Sequence, residues 1–303
     1  MTATTASTAT TVVLGATGRL GRAVIAALLA RGARPASITA AGRNTEALND
    51  LAAQGVATAR VDYDDEAGLQ AALHPGASVL LISGSDIAHR RAQHQRVIDA
   101  AVRAGVDRLV YTSVLRAGES ELFVAPDHRA AEEALAASGL DTTILRNGWY
   151  TENYAPAVVK AATTGVLTDS TGSGRIASAT RADYAEAAAV VLATDSHAGR
   201  VYELGGASWD YDDLAAVATR LTGRRVRREV LTHDEHVARL TAAGLAEIIP
   251  FTAGLDDAVS RGALDTASTD LADLLGRRPA GLEEGLRGAV AAALAAAGQG
   301  GLR

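Results

Sequence analysis

The chain has 303 residues, 48% of them apolar, with a net charge of -6 and no cysteine, and Lys160 is the single lysine among 29 basic residues. That length suits two domains or one large α/β unit. The missing cysteines exclude a disulfide framework, a thiol nucleophile, a zinc ribbon and a thiolate-held cluster, and the mild acidity argues against non-specific nucleic-acid binding.

Residues 1–10 lack a basic n-region and an apolar h-region and read as a loose tail. The longest apolar stretches, 79–82 and the alanine-rich 289–297, fall short of the ~20 residues of a membrane span, so a soluble, cytoplasmic protein is expected. From 11 to about 147 one unit recurs: a short β-rich apolar run, a polar turn, an alanine-rich amphipathic stretch and a glycine. The runs are 11–14, 38–41, 57–61, 79–82, 108–111 and 142–145, and the helical stretches end near Gly32, Gly55, Gly76, Gly105 and Gly139, where a left-handed residue stops a helix. Six strands alternating with helices predict an α/β fold built on a doubly wound parallel Rossmann sheet, because parallel neighbours need crossovers and the helices then cover both faces. Beyond 150, a turn at Gly172-Ser-Gly174, a helix over 182–193, a strand over 201–204 and further helix broken by glycines predict a smaller C-terminal substrate lobe.

The first run is followed by Gly15-Ala-Thr-Gly18-Arg-Leu-Gly21, which opens a helix with Leu20, Val24 and Leu28 on one face. In that context Gly15 permits the tight turn, Gly18 lets backbone approach a pyrophosphate, and Gly21 lets the helix lie close to the sheet. An NAD enzyme usually carries an acid at the end of the second strand, about 20 residues on, for the ribose 2′-hydroxyl. Here the residues are Ala41-Gly42-Arg43-Asn44, so NADP is the expected cofactor, with Arg43 on its 2′-phosphate and Arg19 as helper; the alternative is that Arg43 only caps a surface loop. The other strand ends add Asp62 and Tyr63 near the adenine, Ser83 and Gly84, Thr112 and Ser113, and Asn147, Gly148, Trp149 and Tyr150. The expected division is a tail over 1–10, an NADP-binding Rossmann domain over 11–150 to which about 176–204 returns, and the lobe over 151–303.

Short-chain dehydrogenases commonly pair a tyrosine with a lysine four residues later, whose ammonium lowers the phenol's pKa. No tyrosine here has a lysine at that spacing, and the residue four before Lys160 is Pro156. The pair is therefore excluded. His128, in Pro126-Asp127-His128-Arg129 at the start of the helix after the fifth strand, is the expected alternative proton donor; an exposed first-turn histidine is the competing assignment. Trp149, Tyr150 and Tyr154 either stack on a flat substrate or pack the joint between lobes.

Gly15-Ala-Thr-Gly18-Arg-Leu-Gly21, Arg43-Asn44, Val61-Asp62-Tyr63-Asp64, Leu145-Arg146-Asn147-Gly148-Trp149-Tyr150 and the 176–184 segment resemble the NmrA-like atypical short-chain dehydrogenase/reductases, and within them the NADPH-dependent quinone oxidoreductase type 2 and triphenylmethane reductase branch. The resemblance covers nearly the whole chain after the tail. It implies NADPH cradled by Thr17, Gly18, Arg19 and Leu20, Arg43 at the 2′-phosphate, Asn147 to Tyr150 near the nicotinamide, and substrate between the two parts; His128 matches a histidine that the branch carries at this helix start. The expected catalytic residues are His128 and Tyr150. Arg19 departs from the glutamine the branch often has.

Hydride transfer to a quinone or another conjugated aromatic acceptor is thus the leading expectation. The alternatives are a ketone, enone or imine reductase of secondary metabolism, and a non-catalytic NADP-binding redox sensor using the arginines at 224–228 as a contact surface, although such a run is more commonly a solvated face. The expected partner is a small aromatic or quinone-like substrate, with no nucleic acid and no membrane, and a homodimer as an open question. His233 and His236 lack the glutamate and third ligand of a zinc helix, so no metal is expected.

Overall fold

The computed structural model describes residues 10–300, with side-chain burial up to residue 296, so residues 1–9 of the expected tail lie outside the described residues. In chain order the elements are β1 (Thr11–Leu14), α1 (Arg19–Ala30), β2 (Ile38–Gly42), α2 (Thr45–Ala52), β3 (Ala57–Arg60), α3 (Glu66–Ala72), β4 (Ser78–Leu81), α4 (Arg90–Ala104), β5 (Arg108–Val114), α5 (Ala125–Ala137) and β6 (Asp141–Asn147). There follow α6 (Ala155–Thr164), β7 (Val166–Asp169), α7 (Arg181–Ala193), β8 (Val201–Leu204), α8 (Tyr211–Thr222), β9 (Arg227–Val230), α9 (His233–Ala242), α10 (Ala253–Ser260), α11 (Asp270–Leu275) and α12 (Leu282–Gly300), with short 3-10 turns between some of them. The chain divides into two compact units. One is made from the chain up to Ala117 with Pro126–Asn147 and Arg181–Tyr202, the other from Gly118–Ala125, Gly148–Thr180 and the chain from Glu203 on.

Seven strands form one sheet in the order β3-β2-β1-β4-β5-β6-β8, and every register among β1 to β6 is parallel. Every residue of β4 and β5 is buried, as strands covered by helices on both faces must be, whereas edge strand β3 is largely exposed. α1 turns Leu20, Val24, Ile25 and Leu28 inward at helical spacing. The five glycines expected to stop helices all adopt positive φ, between 64° and 89°. Arg108 at the start of β5 donates Nε–H to Ser78 Oγ at 2.9 Å and its outer nitrogens to the carbonyls of Leu192 and Thr194, so a cation satisfies the terminal acceptors of α7. Chain order reverses between β1 and β4, the place where doubly wound sheets leave a crevice at the strands' carboxyl ends.

In the second unit β7 and β9 pair in parallel, and α6, α8 and α12 pack on one another. The strand at 227–230 corrects the expectation of an all-helical segment beyond 205. Its cause is non-local: Arg228 donates Nε–H and Nη2–H to Asp169 at 2.8 Å each, and the fully buried Asp169 also accepts the amide and hydroxyl of Thr171. Arg224, Arg225 and Arg227 are exposed, but the Arg228 side chain is only 9% exposed, so the arginine run is not one solvated face. Tyr154 is buried, edge-on to Trp209 with ring centroids 4.8 Å apart and beside Tyr211; it fills this unit's core and is removed as a stacking surface. His236 is buried too, within 3.0 Å of Ser170 Oγ and 3.3 Å of Asp256, while His233 is exposed. Among the described residues no helix is long and apolar enough to cross a membrane.

Candidate active site

After β1 the backbone turns at Gly15, φ +79°, and α1 starts past Gly18. A Cβ on Gly21 would lie 2.4 Å from the Gly15 carbonyl oxygen and 2.6 Å from Ala16 Cα, so the helix approaches the strand as only glycine allows. The α1 N-terminus has neither a side-chain cap nor an acid in its first turn, which leaves its leading N–H groups available to an anion. Leu20 and Gly21 are buried, so their side of the helix serves packing; Arg19 is exposed.

A cavity of about 250 Å³ lies beside this turn. Of the expected cofactor residues it is lined by Gly15, Thr17, Gly18, Arg43, Asp62, Tyr63, Ser83 and Gly84. The Arg43 guanidinium is 63% exposed and stands 4.0 Å from Asp62 Oδ2. Tyr63 donates its hydroxyl to the Ile82 carbonyl at 2.9 Å, and burial pushes its phenol pKa up. The wall also includes Gln93, which sequence reasoning passed over because it sits inside α4 with no local motif. Gln93 donates to Asp64 at 2.7 Å, and with Arg96 it holds that carboxyl below the usual carboxylate range.

Other expected residues face elsewhere. Thr112 is buried and accepts the Ser83 amide at 2.9 Å, which positions the loop after β4. Ser113 donates to Glu132, and Glu132 also binds Arg146 through both carboxylate oxygens, so the serine is engaged within an ion pair. Asn147 is buried with its Oδ1 unpartnered. Gly148, Trp149 and Tyr150 belong to the second unit, where Gly148 donates its amide to the Leu204 carbonyl and the Trp149 carbonyl accepts from Ala179.

His128 lies in the first turn of α5 but is only 5% exposed, so the exposed-histidine alternative is excluded. Its Nδ1 is 2.7 Å from the Tyr111 hydroxyl, which is 3.2 Å from His94 Nδ1, and His94 Nε2 accepts the Gly84 amide at 3.0 Å. Burial, reinforced by the Arg90 cation, pushes both imidazoles down to about 3. Arg90 donates Nε–H to the Gly84 carbonyl at 2.7 Å, so both polar groups of that cavity residue are held by α4. Neither His94 nor Tyr111 carries a sequence signal that would have marked it.

The NAD(P)H-binding family matches residues 15–195. Quinone oxidoreductase 2 of Escherichia coli is 43% identical over 82% of this chain and 88% of its own length. Its structure in complex with NADPH superimposes with a TM-score of 0.87 over 91% of this chain and 98% of that one, at 41% identity. The Citrobacter sp. triphenylmethane reductase complexed with NADP(H) is 34% identical, with a TM-score of 0.86 over 92% of this chain and all of that one. The NmrA-like family domain-containing oxidoreductase flvB of Aspergillus flavus is 30% identical over 75% of this chain and 77% of its own length. On its sheet, its glycine turn and these likenesses together, the chain belongs to the NAD(P)H-binding, NmrA-like oxidoreductase family.

Proposed function

We propose that this protein is an NADPH-dependent oxidoreductase that passes hydride to a quinone or another conjugated aromatic acceptor. The observation that carries the reading is one cavity lined by both the glycine turn beside an uncapped helix N-terminus and an unburied arginine at the end of β2. That donor set fits a dinucleotide with a 2′-phosphate: Gly15, Thr17, Gly18, Arg19 and the Leu20 amide would hold the pyrophosphate, Gly21 would set the helix close, and Arg43 would pair with the 2′-phosphate. Asp62 and Tyr63 would flank the adenine, and Ser83 and Gly84, on the loop that Thr112 positions, would shape the nicotinamide end. When bound, NADPH supplies the hydride. His128 is the residue proposed to face the acceptor. Lys160 is exposed on α6 and no tyrosine stands four residues before it, so the reaction would run without a tyrosine–lysine pair. Quinones and cationic dyes accept hydride with little acid assistance, which leaves positioning as the main contribution.

The test is NADPH absorbance followed with a panel of quinones, triphenylmethane dyes, ketones and imines. Oxidation led by quinones or dyes is expected. Tight NADPH binding with no oxidation by any acceptor would overturn the enzyme reading in favour of a redox-sensing regulator.

A further inference from the structure

The hydrogen bonds joining Gly84, His94, Tyr111 and His128 admit a single arrangement of protons. A backbone N–H can only donate, so the Gly84 amide makes His94 Nε2 an unprotonated acceptor. His94 is neutral, so its one proton sits on Nδ1 and is donated to the Tyr111 oxygen. Tyr111 is fully buried and keeps its hydrogen, which therefore goes to His128 Nδ1. His128, also neutral, then carries its proton on Nε2. No hydrogen bond to that atom is seen among the described residues. The relay thus starts on the wall of the cofactor cavity, at Gly84, and ends on an N–H donor that no described residue engages.

We infer that Gly84, His94 and Tyr111 form a one-way relay that locks His128 as a neutral Nε2–H donor to the acceptor's oxygen. His94 and Tyr111 act as positioning residues. The inference rests on the hydride-transfer reading. As hydride and its electron pair reach the acceptor, the C=O π electrons move onto oxygen, the Nε2–H hydrogen bond stabilises the oxyanion, and water afterwards supplies the proton. A neutral imidazole performs this electrophilic role without ionising. The charged and titratable groups around the relay are Arg90 from α4, Asp127 and Glu132 from α5, and Tyr63 from the turn after β3; Arg90 disfavours an imidazolium on either ring.

Nitrogen-15 spectra of the full chain labelled at histidine, assigned with His94→Gln and His128→Gln, read the tautomers without turnover. Expected are Nδ1–H at His94 and Nε2–H at His128, unchanged from mildly acidic to mildly basic pH, with Tyr111→Phe releasing His128 into a mixture. An Nδ1–H or a protonated His128 would overturn the relay. In turnover with a quinone, His128→Ala should lower kcat about 100-fold with NADPH binding intact, while His128→Gln, which can accept from Tyr111 and still donate, recovers most of it. Equal losses in the two variants, or a kcat that titrates with a histidine-like pKa in the wild type, would overturn the donor role and leave hydride transfer standing. A wild type that oxidises no NADPH would instead overturn the functional reading and the donor role together, with the tautomers still read by the spectra.

Discussion

Replacing Arg43 with alanine isolates the 2′-phosphate contribution. The guanidinium is 63% exposed, and its nearest carboxylate, Asp62, is 4.0 Å away and 42% exposed, so interactions here are those of a wet surface. Two unit charges at such a distance interact by ~1 kcal/mol in bulk water and by several times that in a protein-like dielectric, so exposure favours the low end. A phosphate of charge about −1.5 to −2 then loses roughly 2 kcal/mol with the cation, an increase of about 30-fold in the NADPH dissociation constant. NADH has no charge at that position, and its binding should change little. Asp62 repels the same phosphate, so Asp62→Asn should tighten NADPH by about fivefold. Fluorescence titrations of both cofactors at low and high salt measure all of this, and the NADPH preference should shrink as salt screens the pair. Equal weakening of NADPH and NADH, or a preference that ignores salt, would refute the assignment of Arg43.

Gly21→Ala forces a methyl against backbone at Gly15 and Ala16, which cannot yield as a flexible side chain would; a loss of about 1–3 kcal/mol and weaker NADPH binding should appear in melting curves and titrations, and an unchanged melting temperature would contradict the close approach. Asp169→Asn leaves the buried Arg228 cation with only the exposed Asp212 carboxylate, 3.0 Å from Nη1, as counter-charge, so urea denaturation should show a loss of about 3 kcal/mol, largely recovered in the apolar double variant Asp169→Leu/Arg228→Met. His94 and His128 titrate near 3 when folded but near ~6.5 when unfolded, so the unfolded chain takes up protons first as pH falls; stability should drop below about pH 6.5 and continue falling toward 3, by up to ~1.4 kcal/mol per pH unit for each histidine. His128→Gln removes one share of that slope, and an identical slope in the variant would show that His128 is not buried neutral.

The Gly15-to-Gly21 turn was legible because each glycine answers a backbone requirement met within a few residues: a positive φ at Gly15 and a strand lying against Gly21. The strands were legible for a similar reason, since β4 and β5 are apolar through their length and both of their faces are covered. Arg43 stood out through the absence of an acid beside it. In contrast, Ser113 and Tyr154 occupy strand-end and near-motif positions that look like ligand sites, yet one is bound to Glu132 and the other packs against Trp209. Spacing along the chain reports which element a residue belongs to, not which side chain fills the space in front of it.

Local pattern alone therefore established the doubly wound α/β plan and the glycine turn, and it singled out Arg43 and the lack of a lysine four residues after any tyrosine as expectations. The neutral state and proton direction of His128 came from packing, because Tyr111 is 17 residues away along the chain and reaches it only once β5 and α5 are folded together. The same holds for Arg228 and Asp169, 59 residues apart. Periodicity is written into neighbouring residues, whereas burial, desolvation and hydrogen-bond direction arise only when distant segments meet.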